Sequence, residues 1–181
     1  MKKIIYLFIG ILISQLSFSQ NKTPRIIVAA SKGNIKKVTT YIKKGDDLNA
    51  KSRSQWSALS YAVNKNNFEI TKLLLENKAN VNIRINTKET PLLLAAKYNY
   101  NTIASLLLQY KANVELKDII GFSPIHWAAK NNNKELILKL LESGANINAK
   151  NIQGRTALDM ADPKIKSFLR TKNAKTGQEL L

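Results

Sequence analysis

Chemistry at a protein site needs groups that titrate near neutrality, ligate metals or act as nucleophiles, and this sequence is poor in them. It has one histidine, His126, and no cysteine. One imidazole without thiolates is too few good ligands for a transition-metal site, so no metal and no cofactor is expected. Serines and aspartates are present, but no G-x-S-x-G or comparable frame pairs one with His126. The seven glycines are scattered at turns and are not gathered into a phosphate-cradling loop. No residue is assigned as catalytic, and the chain is expected not to be an enzyme.

What must be positioned is therefore a surface, and the sequence shows how. The stretches SALSYAV from Ser57, TPLLLAA from Thr90, SPIHWAA from Ser123 and TALDMAD from Thr156 begin at a constant spacing of 33 residues. A second block keeps that register: LLLENKANVNI from Leu73, LLLQYKANVEL from Leu106 and KLLESGANINA from Lys139. A fixed period of this size signals stacked like units presenting an extended surface. In each unit Ser or Thr is placed to cap a helix, with Pro next at Pro91 and Pro124. The column Leu59, Leu92, Ile125, Leu158 points inward. The column Ala29, Ala62, Ala95, Ala128, Ala161 must stay small so that helices can approach closely. A polar turn follows (Asn66-Asn67, Asn99-Tyr100, Asn132-Asn133). The second helix then carries Ile70, Leu74 and Leu75, or Leu136, Leu140 and Leu141, on one face. Asp118-Ile-Ile-Gly121 and Asn151-Ile-Gln-Gly154 read as turns.

This pattern of TPLLLAA, polar turn, LLLQYKANVEL and D-x-x-G resembles the ankyrin repeat. The resemblance covers essentially all of residues 24–180. It implies an all-α solenoid of helix-turn-helix units with projecting β-hairpins, the units spanning about 24–56, 57–89, 90–122, 123–155 and 156–181. It also implies that His126, in the family's TPLH position, makes structural hydrogen bonds between units. The pair Asp46-Asp47 then falls in a solvated loop at a helix end. The first unit, with Lys36, Lys37, Lys43 and Lys44 outside, reads as an N-terminal cap. The last, with Asp162-Pro163 at the inter-helix turn and a shortened second helix ending Phe168-Leu169-Arg170, reads as a C-terminal cap. Lys78 and Lys111 stand where Gly45 and Gly144 stand elsewhere, at a helix end that favours a left-handed residue. The hairpin RINTKET lacks both the Asp and the Gly of the turn.

Residues 1–20 read as a secretory signal peptide: Lys2-Lys3, an apolar run from Ile4 to Ile13, then Ser17-Phe18-Ser19 before Gln20. Cleavage is expected after Ser19 or Gln20, leaving residues 21–181 as a single domain. The apolar run is too short to span a bilayer, so no stable membrane insertion is expected after cleavage. The mature chain is placed in the periplasm or outside the cell, where the lack of thiols prevents oxidative mispairing. Without Lys2 and Lys3 the formal charge of +17 falls to +15. It is concentrated at the start, where residues 21–54 hold nine Lys and Arg against two acids. Such an excess attracts anionic partners, although a Lys-, Asn- and Ile-rich composition alone produces it equally well. Nucleic acid does not fit an exported chain whose lysines are dispersed among asparagines.

The family's usual contact surface is the hairpin tips and the first helix of each unit. Mapped here, it assigns partner contact to Trp56, Lys65, Arg84, Lys97, Tyr98, Lys117, Ile119, Ile120, Phe122, Lys130, Lys150 and Arg155. Ile119, Ile120 and Phe122 would set an apolar group on one tip, unless Phe122 folds down over the neighbouring unit. Trp56 either anchors a partner or covers the cap interior. Lys51, Arg84, Lys117 and Lys150 recur every 33 residues as one cation per unit. The expected function is non-catalytic binding by a monomer to another exported protein, an acidic one being what the basic charge suits, as its adaptor or protective partner. The alternative is an inhibitor or immunity protein that neutralises a toxin or enzyme.

Overall fold

The structure, a computed structural model, describes residues 23–181; the signal segment read at 1–20 lies outside the described residues. Among the described residues ten α-helices follow one another in pairs. They are α1 (Arg25–Ser31) with α2 (Ile35–Lys43), α3 (Ala58–Asn64) with α4 (Phe68–Glu76), and α5 (Pro91–Lys97) with α6 (Asn101–Gln109). Then come α7 (Pro124–Lys130) with α8 (Lys134–Glu142), α9 (Ala157–Met160) with α10 (Pro163–Thr171), and a final 3-10 turn at Gln178–Leu180. First helices pack on first helices of the next pair, and second helices on second helices, so the chain is an all-α repeat solenoid.

Local chemistry explains the repeated helix-turn-helix. The Ser57 and Thr90 hydroxyls accept from the backbone N–H of Ser60 and Leu93, satisfying amides that the first turn leaves without partners. The second helices are capped by Asn34, Asn67 and Asn133, which accept from Lys37, Ile70 and Leu136. The turn between helices needs one left-handed residue. Gly33, Asn66, Asn99 and Asn132 supply it at φ 68, 53, 62 and 56°, a conformation asparagine tolerates better than most residues.

The core is continuous along the stack. Leu59, Leu92, Ile125 and Leu158 are buried, as are Ala62, Ala95 and Ala128 at 0% exposure. Ile70, Leu74, Ile103, Leu107, Leu136 and Leu140 bury the second helices. Each Leu or Ile so buried contributes roughly 1.5–3 kcal/mol relative to exposure.

The segment ANV or ANI after each second helix couples the units. Asn49 Oδ1 accepts from the N–H of Asn80, Asn82 Oδ1 from Asn113, Glu115 Oε1 from Asn146 and Asn148 Oδ1 from Lys175. The side chains of Asp47, Asn80, Asn113 and Asn146 in turn accept from the N–H two residues on. Two polar columns thus divide the work, one stapling unit to unit and the other shaping the turn.

The structure differs from the sequence reading in three places. The projecting hairpins are tight fingers: two backbone bonds close each, such as Asp118 N–H to Phe122 C=O at 2.9 Å and Gly121 N–H to Asp118 C=O at 3.0 Å, and no strand forms among the described residues. Three residues between the closing pair leave no room for a ladder. In the last pair the second helix is not shortened; at nine residues it matches the others. The short one is α9, with four residues, because Pro163 forces the residues before it into extended backbone (ψ 144° at Ala161, 146° at Asp162). Finally, Asp46 is not simply solvated: Arg25 grips it with hydrogen bonds of 2.6 to 3.2 Å.

Candidate functional site

The fingers are built by one side chain each. Asp118 is buried, and its Oδ1 accepts from the N–H groups of Ile120 and Phe122 while Oδ2 accepts from Trp127 Nε1 at 3.1 Å. Asn151 holds the next finger by accepting from Gln153 and Arg155, and Ser52 accepts from Trp56. In the second finger the same place holds Ile85, buried in the core cluster instead. Each finger needs a left-handed residue before it closes. These are Gln55, Lys88, Gly121 and Gly154, so RINTKET makes the turn with Lys88 where the two later fingers use Gly.

Three fingers touch in series. Ile119 N–H donates to the Thr87 carbonyl at 3.0 Å, and Ile152 N–H reaches the Ile120 carbonyl at 3.5 Å. A Cβ on Gly121 would lie 2.7 Å from the Ile152 nitrogen, so this glycine permits the close approach of backbones. At the tips Ile119, Ile120 and Ile152 are 60, 43 and 72% exposed.

Phe122 is not part of this apolar tip. It is only 6% exposed, and its ring packs 4.9 Å from Trp127 and 5.5 Å from His126. Its assignment as a contact residue is withdrawn: the backbone bond from Phe122 to Asp118 Oδ1 turns the ring inward, where it gains apolar cover. Ile152 takes its place at the tip. Its column was visible in the sequence, but the missing signal was the Gly121 contact that joins the two fingers.

The basic residues divide. Lys117 is half-buried, and its ammonium donates to the Lys150 carbonyl at 2.9 Å; Lys150 in turn reaches the Leu180 carbonyl at 3.4 Å. These two cations run along the stack and staple one unit to the next, while Arg84 is half-buried and Lys51 exposed. Lys97 pairs with the buried Glu89 at 2.8 Å. Burial works against the Lys97 ammonium, but the hydrogen bond and charge of Glu89 outweigh it and raise its pKa. Lys97 and Lys130 sit 5.3 and 5.0 Å from the centre of the half-buried Trp127 ring, and Tyr98, 44% exposed, lies beside Tyr100. Lys65, Lys130 and Arg155 are exposed; the Arg155 guanidinium donates to Gln153. Trp56 is half-buried against the core, 5.0 Å from Tyr61.

His126 is fully buried. Its Nδ1 accepts from the Ser123 N–H at 3.2 Å and lies 2.8 Å from the Ser123 hydroxyl. Nε2 therefore carries the proton and faces the Arg155 carbonyl, which closes the finger of the same 123–155 unit, at 3.3 Å. Desolvation, then the Arg155 carbonyl resisting it and the Lys117 charge reinforcing it, leave the imidazole pKa lowered. It is a neutral tie between α7 and that finger. Among the described residues no three His, Asp or Glu side chains gather as metal ligands, and no helix is long and apolar enough to cross a membrane.

Comparison with known families places this geometry. A model of ankyrin repeats in three copies matches residues 26–118, and a second ankyrin-repeat model, of many copies, matches residues 125–161. No curated protein matches the chain. With its repeated helix pairs, and with most of its length covered by these two matches, the chain belongs to the ankyrin-repeat family.

Proposed function

We propose that this chain, whose ankyrin repeats indicate a protein–protein interaction module, works in the cell envelope or outside the cell as an adaptor or protective partner of another exported protein. One observation carries the proposal for the working surface. Ile119, Ile120 and Ile152 stand exposed together at two adjoining fingertips, with Lys88, Lys130 and Arg155 exposed on neighbouring fingers and the first helix. Exposed apolar clusters rimmed by polar groups mark binding sites, and centrally buried apolar groups supply most of the affinity in such contacts. The basic rim suits an acidic partner and acts mainly on the rate of encounter. The export reading rests on Lys2-Lys3, the apolar run and Ser-Phe-Ser-Gln at residues 17–20.

The test uses protein from the native host. Intact mass should correspond to a chain starting at Gln20 or Asn21; residues 1–19 retained in a soluble cytoplasmic protein would end the export reading. A photo-crosslinker at Ile120 should trap an exported protein. Deleting this chain should lower that protein's level if the chain protects it, whereas unchanged level with raised activity assigns inhibition instead. Against the purified partner, Ile119→Ser with Ile120→Ser should speed dissociation, and Lys130→Glu should slow association. Binding that survives these changes but is lost with Lys72→Glu on α4 moves the site to the second-helix face.

A further inference from the structure

The two ends of the stack are finished differently. At the C-terminal end the chain folds back over its own last unit. Ala174 is buried, the Thr156 hydroxyl donates to the Lys175 carbonyl at 2.7 Å, and Gly177 N–H donates to Asp159 at 2.7 Å. A Cβ on Gly177 would stand 2.0 Å from the Gly154 carbonyl, so the tail lies flat on the finger, and Arg170 pairs with Glu179 beyond it at 2.7 Å.

The N-terminal end has no such cover among the described residues. The repeat register shows what is missing. Lys37 aligns with Ile70, Ile103 and Leu136, and Tyr41 with Leu74, Leu107 and Leu140, all of them 0 or 1% exposed. The last unit continues the first column with Ile165, since α10 starts four residues early in the register, and Ile165 is buried as well. In the first unit the same places open on a cleft of about 200 Å³, floored by Val28, Ala29 and Tyr41 and rimmed by Arg25, Lys32 and Lys37. Val28 and, nearby, Ile35 are 38 and 40% exposed. Arg25 is held by Asp46 and lies 4.8 Å over the Tyr41 ring. Lys32, Lys36 and Lys37 have no carboxylate partner among the described residues.

We propose that this open end is a second docking site, which receives an acidic amphipathic helix of a partner protein as an added layer on the stack. Apolar side chains of that helix occupy the cleft over Val28 and Tyr41, where a preceding unit would pack. Its carboxylates meet Lys32, Lys36 and Lys37. Charge selects this occupant. A second copy would bring the same lysines face to face. Residues 1–22 hold Lys2, Lys3 and Lys22 and no acid, so they repel the same rim. A flat anionic bilayer matches the charge but not a recessed apolar floor. The site is separate from the fingertips and stands independently of the function proposed for them.

The test titrates a fluorescein-labelled Leu/Glu amphipathic helical peptide into the mature chain and follows anisotropy. Binding should appear, weaken with added salt, and fall about tenfold or more with Lys32→Glu plus Lys37→Glu, as attractive rim pairs become repulsive. Val28→Ser should weaken it about threefold through lost apolar contact. Lys164→Glu at the far end and Ile120→Ser at the fingertip should leave it unchanged. If the double variant fails to fold by circular dichroism, Val28→Ser and the salt series decide alone. Equal binding of a Leu/Lys peptide, or no binding of the Leu/Glu peptide, overturns the proposal. So do a concentration-dependent dimer that Lys37→Glu alters, Val28-dependent binding to phosphatidylglycerol vesicles in place of the peptide, and peptide binding that appears only when residues 1–22 are removed.

Discussion

Glycine should stabilise this protein at two helix ends that carry lysine in its place. Lys78 and Lys111 sit at φ 66 and 60°, while Gly45 and Gly144 hold the same place at 74 and 88°. An L-residue in the left-handed region costs roughly 1–2 kcal/mol. Replacing Lys by Gly removes that strain but frees the unfolded chain, at a cost of roughly 0.4–1 kcal/mol. Lys78 and Lys111 are exposed, and no side-chain bond holds either, so little else changes. The net gain is about 0.5–1 kcal/mol each, and the two should add within about 0.5 kcal/mol. For a mature chain of this size each kcal/mol raises Tm by roughly 2–4 °C. The reverse change is equally informative. A Cβ at Gly45 or Gly144 meets nothing within 4 Å, so Gly144→Lys should lose about 1 kcal/mol from backbone strain alone. Urea denaturation of the mature chain measures all of these, with the m-value unchanged as the sign that only stability moved. Lower midpoints for both Lys→Gly variants, or a neutral Gly144→Lys, would refute the reasoning.

Three further outcomes are expected. Ala95→Leu or Ala128→Leu, each at a site with no exposure, should destabilise by about 1–3 kcal/mol through overpacking, and an unchanged thermal melt would show the column is misplaced. Asp118→Ala strands the N–H groups of Ile120 and Phe122 and the Trp127 indole, so it should cost about 1–3 kcal/mol and alter Trp127 fluorescence; no change in either would show that the finger stands without its carboxylate. His126 has a lowered folded pKa, so the unfolded chain binds the extra proton first. Stability present above pH ~6.5 should fall as pH drops below that value, a slope that His126→Gln should remove.

The 33-residue register, read from residue types alone, placed the inward Leu and Ala columns, the helix caps and the left-handed positions at Lys78 and Lys111. These depend on period, capping chemistry and backbone sterics, which act within a few residues and are written locally. The contact surface was legible only as columns. Ile119 and Ile120 are exposed as read from the sequence, but Phe122 turned inward and Ile152 joined the tip, because Asp118 gathers its donors and Gly121 lets two fingers meet. The cation column looked like a field for a partner, yet Lys117 and Lys150 reach along the stack to carbonyl groups of later residues. The column Asn49, Asn82, Glu115 and Asn148 was present in the repeat without its meaning, since the N–H groups it accepts from lie about one unit away. Local sequence determined which residues form each unit and which face each one buries. Only stacking decided which polar groups are spent between units, since those pairs join residues some 30 positions apart. It also decided that one end closes on its own tail while the other stays uncovered among the described residues.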